Sequence, residues 1–65
     1  MNNTTSKFHD LRQQPLLTVK DIQTVLQLGR TATYDFLNNN PPFRVLHVNH
    51  SIRVPSSDFF KWIDG

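Results

Sequence analysis

Apolar residues between positions 18 and 38 recur at helical spacing, and one glycine divides them into two groups. The first group occupies i, i+3, i+6 and i+7, which places four side chains on one helix face: Val19, Ile22, Val25 and Leu26. Thr18 is a good N-cap, and Asp21 follows it at nearly the capping-box spacing. Gly29 can cap a second helix, expected over residues 30–38. The pattern therefore predicts two short helices joined by a tight turn.

Beyond the second helix the pattern changes to that of β structure. Three asparagines at 38–40 and the two prolines after them end the helix. Residues 43–48 and 52–54 are rich in β-branched and aromatic side chains and flank a short turn, so they predict a β-hairpin. Serines and an acid at 56–58 then open a third helix. The expected order is helix, helix, hairpin, helix: a mostly α fold with a small β-hairpin, of the α+β class.

The same periodicities predict which side chains face the core. Thr33 is polar but points inward in this scheme, so its hydroxyl should bond a carbonyl one turn back. The hairpin should turn Val45, Ile52 and Val54 toward the helices, with Phe43 as a further candidate. The inward helical positions are Ile22, Leu26, Thr33, Phe36, Phe59, Trp62 and Ile63, and Leu28 should contribute to the same core from the turn between the first two helices.

Residues 1–14 are polar and lack periodicity, so they predict a disordered N-terminal arm, with the folded domain over residues 15–65. Lys7 and Arg12 in this arm can touch phosphates. The alternative is a plain flexible tail, which fits most termini that are not tied into a fold.

Composition narrows the class of protein. The 65 residues allow one domain, and the absence of cysteine excludes disulfides and thiolate metal sites. There is no apolar run of about 18 residues for a membrane span and no secretory signal, so we expect a cytoplasmic, nucleoid-associated protein. The net charge of +2 permits a nucleic-acid partner without requiring one.

Catalytic and metal-binding patterns are missing from the sequence. It has no Ser-His-Asp set, no carboxylate pair and no glycine-rich phosphate loop, so we expect neither an enzyme, nor a cofactor, nor a small-molecule substrate. His47 and His50 are spaced like half of a metal site, but no cysteine accompanies them. Solvated or phosphate-facing histidines are therefore the expectation, and no metal.

The two-helix pattern is typical of a helix-turn-helix, which presents its second helix to the major groove of DNA. Arg30, Thr31 and Tyr34 lie outward on that helix. Arginine can bond guanine bidentately, threonine can contact a thymine methyl or a phosphate, and tyrosine can donate to a phosphate. Asp35 would repel phosphate unless it accepts from a cytosine amino group or lies off the groove.

The hairpin, residues 43–54, adds basic side chains and contains no acid up to residue 57. We expect Arg44, His50 and Arg53 to lie along the DNA backbone or in a narrow minor groove, which attracts arginine. Asn49 at the tip suits a left-handed turn residue. The alternative is a purely structural hairpin that caps a small core.

Residues 16–63 resemble the excisionase-type, MerR-like winged helix-turn-helix family. The matching pieces, in order, are Leu17-Thr18-Val19, residues 30–34, Arg53-Val54-Pro55 and residues 58–63. The family usually has a small residue at position 23 and glycines at 27 and 49, where this chain has Gln23, Gln27 and Asn49. The resemblance implies a recognition helix in the major groove, a wing in the adjacent minor groove, and a role in DNA recombination or transcription regulation. The partners it implies are double-stranded DNA and either an integrase or further copies along the DNA.

Two hypotheses of function follow. The first is a small DNA-binding protein of mobile-element type, acting as an excisionase-like recombination directionality factor or a transcriptional regulator. The second is a protein-interaction module on a winged-helix scaffold, which contacts its partner through Phe60 and the wing. Phe60 is expected at the edge of the last helix, where it either meets a partner or completes the core over the wing.

Overall fold

The computed structural model describes residues 8–65; the remainder of the predicted arm, residues 1–7, lies outside the described residues. The helices are α1 His9–Gln13, α2 Val19–Leu26, α3 Arg30–Asn38 and α4 Ser56–Asp64. The strands are β1 Leu16–Leu17, β2 Leu46–Val48 and β3 Ser51–Pro55. In this part of the chain the fold is therefore α+β, with four helices and a three-stranded antiparallel sheet in the order β1-β3-β2.

Helix α2 begins at the predicted capping box. The Thr18 hydroxyl accepts from the Asp21 amide at 3.2 Å, and the Asp21 carboxylate accepts from the Thr18 amide at 3.0 Å. The reciprocal pair satisfies two amides that the helix itself cannot. Gln27 ends the helix with φ 56°, and the Gln27 and Leu28 amides both donate to the Gln23 carbonyl. The turn thus uses the left-handed conformation that favours glycine.

Helix α3 is held by a buried threonine. Gly29 is its N-cap, as predicted, and Thr33 is fully buried with its hydroxyl donating to the Gly29 carbonyl at 2.7 Å. Leu37, one turn further on, is also buried. Thr33 and Leu37 therefore define the inward face of α3. The periodicity argument did not predict Leu37 as part of that face.

The strand register fixes the two faces of the sheet. Val54 pairs with Leu17, and both are fully buried, so they mark the inner face. Side chains alternate along a strand, so Arg53 points to the opposite, outer face together with Leu46, its partner across the ladder. Asn49 takes φ 56° in the hairpin turn, the left-handed conformation expected for it.

The core is formed by Leu17, Ile22, Leu37, Val54, Phe59 and Phe60, with Val45 and Ile52 packed against it. Three residues predicted to point inward are more open. Leu28 is 37% exposed because the α2–α3 turn lies at the surface, and Trp62 and Ile63 are 40% and 37% exposed near the end of α4. The assignment of Leu28 and Ile63 to the core was wrong. Trp62 does turn its ring toward Phe36, Phe43 and Phe59, but it lies at the rim of the core.

The prediction of a disordered arm over residues 1–14 is wrong for residues 8–14. Helix α1 packs Phe8 and Leu11 against the core, and its Arg12 forms a bidentate ion pair with Asp64 at 2.8 and 2.9 Å. The Gln14 carbonyl accepts from the Ser56 hydroxyl, and the Pro15 carbonyl accepts from the Ser56 amide at 3.2 Å. These contacts reach more than 40 residues along the chain, so local periodicity gives no sign of them.

Residues of α1 and its N-cap also bury Phe60. Only 4% of Phe60 is exposed, because the Phe8 ring lies 6.5 Å away and the Arg12 guanidinium lies 4.3 Å from the Phe60 ring centroid. The expectation that Phe60 lies at the edge of α4 as a partner contact is wrong. The alternative prediction, that Phe60 completes the core, is correct. The element that covers Phe60 is α1, however, and not the hairpin.

Candidate nucleic-acid interface

The exposed start of α3 carries the side chains that the sequence assigned to base reading. Arg30 and Thr31 are exposed and Tyr34 is half-buried, while the buried Thr33 anchors the helix. Gly29 has no side chain to cap the helix, so amides of the first turn lack a side-chain partner. This end of α3 therefore offers hydrogen-bond donors to a ligand, from both the side chains and the main chain.

Arg30 and Tyr34 contact each other. They are four residues apart on α3, and the Arg30 guanidinium carbon lies 5.7 Å from the centroid of the Tyr34 ring, within the range of a cation–π contact. Within residues 8–65, Arg30 forms no ion pair. Its positive charge thus has no acidic neighbour at ion-pair distance in this range.

Asp35 is exposed on the same helix. Successive helical residues are about 100° apart, so its carboxylate is displaced around the helix from the line that joins Arg30 to Tyr34. Asp35 lies four residues after Thr31 and so on the same outward side of α3, and its place relative to a DNA groove stays a prediction. Its main-chain carbonyl accepts from the Asn39 amide group at 2.6 Å, close to the end of the helix.

The hairpin presents Arg53 and His50 in different surroundings. Arg53 is half-buried on the outer face of the sheet, and its Nη1 donates to the Ile52 carbonyl at 2.9 Å. His50 is exposed in the turn between β2 and β3. Arg53 is thus held against the sheet, whereas His50 projects at the tip.

Apolar side chains surround Arg53. The sequence did not predict these side chains as part of the site. Leu46 pairs directly with Arg53, and Val48 lies two residues along on the same outer face with 52% of its surface exposed. The alternation of β2 could have shown this, since His47 between them pairs with the inward-facing Ile52. The outer face of the hairpin is therefore apolar around one arginine.

Arg44 differs from the other predicted contacts. It precedes β2, and its Nε lies 4.0 Å from an Asp58 carboxylate oxygen on α4. Both side chains are well exposed, so the pair contributes little to stability. Asp58 lies outside residues 43–57, yet the fold places its carboxylate beside the hairpin. The positive charge of Arg44 is therefore less available to a ligand than the sequence suggests.

The predicted site residues thus fall into two groups. The α3 group is Arg30, Thr31 and Tyr34, joined by the cation–π contact, and the hairpin group is Arg44, His50 and Arg53. In the part of the chain that the structure describes, no hydrogen bond, ion pair or ring contact joins the two groups. They lie on separate elements of one small fold.

A second surface feature lies near the end of α4. An open groove there is lined by Pro42, Phe43, Asp58, Lys61, Trp62 and Gly65. Trp62 stacks in a cluster with Phe36 and Phe43, at centroid distances of 5.8 and 5.4 Å. The groove thus rests on packed aromatic rings.

The hairpin histidines, His47 and His50, belong to no larger group of metal-ligating side chains in the described part of the protein. Among residues 8–65, no group of three or more His, Cys, Asp or Glu side chains is placed to hold a metal ion. No helix in this range has the length and apolar character required to cross a membrane.

Comparison of the chain with protein-family models, with curated proteins and with solved structures finds no match.

Proposed function

We propose that this protein binds double-stranded DNA as a small winged helix-turn-helix, with α3 in the major groove and the β2–β3 hairpin as the wing. The observation that carries the proposal is that α3 is anchored by buried residues while its first turn stays accessible. It buries Thr33 and Leu37 against the rest of the fold and leaves Arg30, Thr31 and Tyr34 accessible. A firmly anchored helix whose start presents guanine-reading and phosphate-binding groups suits base readout.

The connection between α2 and α3 supports this assignment. Only Gln27, Leu28 and Gly29 separate the helices, a length typical of a helix-turn-helix. Gln27 and Asn49 both take left-handed backbone conformations at positions where the excisionase-type, MerR-like family usually has glycine. Two of the three departures from the family pattern thus keep the backbone conformation that glycine would allow.

The wing supplies the second contact. Arg53 and His50 are the hairpin residues best placed for the DNA backbone or minor groove, since Arg44 already has an acidic neighbour. We propose recombination directionality or transcription regulation as the biological role. The mechanism is binding with bending or occlusion of DNA, and an integrase or further copies of the chain are the proposed protein partners.

Paired substitutions in the two groups test the proposal. A duplex selected from a random library with the intact chain supplies the preferred sequence. Arg30→Ala should then cost about 1–3 kcal/mol on that duplex and relax the preference at one base pair. Arg53→Ala should weaken binding to all duplexes alike and reduce the slope of log K against log salt by about 1, because it removes one phosphate contact.

Fluorescence anisotropy with labelled duplexes over a salt series measures both effects. Lys20→Ala, an exposed cation on α2, is the matched control and should leave the base preference unchanged. Absence of binding by the intact chain at low salt would exclude the DNA-binding function. Equal losses on every sequence for Arg30→Ala would exclude its role as a base reader.

The protein-interaction hypothesis loses its main contact. Phe60, which was to meet the partner, lies beneath α1.

A further inference from the structure

We infer that Tyr34 is a positioning residue, whose ring holds the Arg30 guanidinium in place to read a single guanine. The inference rests on the proposed DNA-binding function and adds to it the origin of base preference. It assigns Tyr34 a role through its aromatic ring, whereas the sequence suggested a phosphate contact through its hydroxyl. The two roles predict different effects of substitution.

The geometry favours the ring. Arg30 is the first residue of α3 and is exposed, so the 5.7 Å contact with Tyr34 is the one described interaction that restrains its long side chain. Within residues 8–65 Arg30 forms no ion pair, and the carboxylates of Asp58 and Asp64 pair with Arg44 and Arg12. The half-buried Tyr34 thus provides a fixed surface beside a free cation.

The chemistry of this contact suits a base reader. A ring attracts a guanidinium through its π face and takes up none of the N–H donors, so these remain available for guanine O6 and N7. An acidic neighbour would instead accept those hydrogen bonds and compete with the base. Restraint before binding also reduces the rotamer freedom that Arg30 loses when it binds.

The consequence is that loss of the ring should weaken base preference more than it weakens binding in general. A phosphate contact carries no sequence information, so its loss affects all duplexes equally. A poorly positioned Arg30 affects only the duplex that contains the guanine. Tyr34→Phe retains the ring without the hydroxyl, and Tyr34→Leu retains apolar bulk without the ring.

The experiment measures Kd for the preferred duplex and for one in which the base pair identified with Arg30→Ala is changed. The ratio of the two Kd values is the readout, because partial unfolding of a variant weakens both equally. Tyr34→Phe should keep the ratio of the intact chain. Tyr34→Leu should reduce it by about two- to fivefold, the strength of an exposed cation–π contact. In the Arg30→Ala background, Tyr34→Leu should leave the ratio of the two Kd values unchanged.

A second readout requires no DNA. In the free protein, the ring current of Tyr34 should shift the NMR signals of the Arg30 δ protons upfield, and Tyr34→Leu should abolish that shift while Tyr34→Phe preserves it. Absence of the shift overturns the inference, as does a Tyr34→Leu variant that keeps the Kd ratio of the intact chain. If the shift is present and the intact chain binds no duplex, the contact between Arg30 and Tyr34 stands and the proposed function, with the reading role, fails.

Discussion

Gln27 occupies a backbone conformation that its side chain disfavours. A left-handed φ of 56° costs a non-glycine residue about 1–2 kcal/mol, whereas glycine adopts it freely. Gln27→Gly should therefore stabilise the protein. Glycine also raises the entropy of the unfolded chain, which reduces this stabilisation by about 0.5–1 kcal/mol. We therefore expect a net gain of about 0.5–1 kcal/mol in the free energy of unfolding.

Urea denaturation followed by circular dichroism measures this gain as a higher midpoint with an unchanged slope. Gln27→Ala is the matched control, because it removes the side chain and keeps the strained conformation. A gain for Gln27→Ala equal to that for Gln27→Gly would show that the side chain, and not the backbone conformation, is responsible.

At the scale of elements, α1 depends on contacts with the other end of the chain. The hydrogen bonds from Arg12 hold the pKa of Asp64 below its ordinary value. Because the folded-state pKa is lowered, this pair stabilises the fold above the ordinary pKa of an aspartate. The contribution is lost as the pH falls through the lowered pKa.

We therefore expect Asp64→Asn to remove part of the acid sensitivity of the fold. Between neutral pH and pH values below the ordinary aspartate range, the intact chain should lose more stability than Asp64→Asn does. Urea midpoints at a series of pH values compare the two. In an Arg12→Ala background the pKa of Asp64 is no longer lowered, so Asp64→Asn should then have little effect on the pH profile. An effect of the same size in both backgrounds would contradict the assigned pair.

The elements differ in how far the sequence predicts them. Helix α2, the start of α3 and the hairpin turn follow from local rules, because Thr18, Gly29 and Asn49 determine the backbone within a few residues of themselves. Helix α1 and strand β1 depend on partners far along the chain. Leu16–Leu17 pairs with β3, and Arg12 pairs with Asp64, so no local pattern reveals either element.

The candidate site shows the same division. Exposure of Thr31 follows from the helical period once Thr33 is placed inward. Arg30 lies on the same side as Thr33, and it is exposed because it begins α3. The pairing of Arg44 with Asp58 does not, because it depends on how α4 folds back beside the hairpin.

At the scale of the whole molecule, aromatic packing joins α1, α3 and α4. Phe59 is fully buried and contacts Phe43 at 5.3 Å and Phe60 at 5.1 Å, and Phe60 in turn meets Phe8. A domain of this size buries only about 60% of the surface that its unfolded chain exposes, so its stability rests on few side chains.

Phe60→Ala and Trp62→Ala should therefore differ sharply, although both remove an aromatic ring from α4. Phe60→Ala should cost about 3–5 kcal/mol, as for other buried aromatic residues, and leave much of the protein unfolded. Trp62 is 40% exposed, so its removal should cost well below that. Urea denaturation followed by far-ultraviolet circular dichroism compares them without relying on tryptophan fluorescence. Equal losses would show that α1 does not cover Phe60 in solution.

The bond between Arg12 and Asp64 has a practical consequence for anyone who shortens this chain. It joins residues 52 positions apart, so the first helix and the last lie side by side. A fragment that begins at Pro15, the boundary suggested by composition alone, would keep α2, α3 and the hairpin but uncover the ring of Phe60. Such a fragment should be poorly soluble and inclined to aggregate, so the proposed DNA binding should be measured on a chain that retains α1.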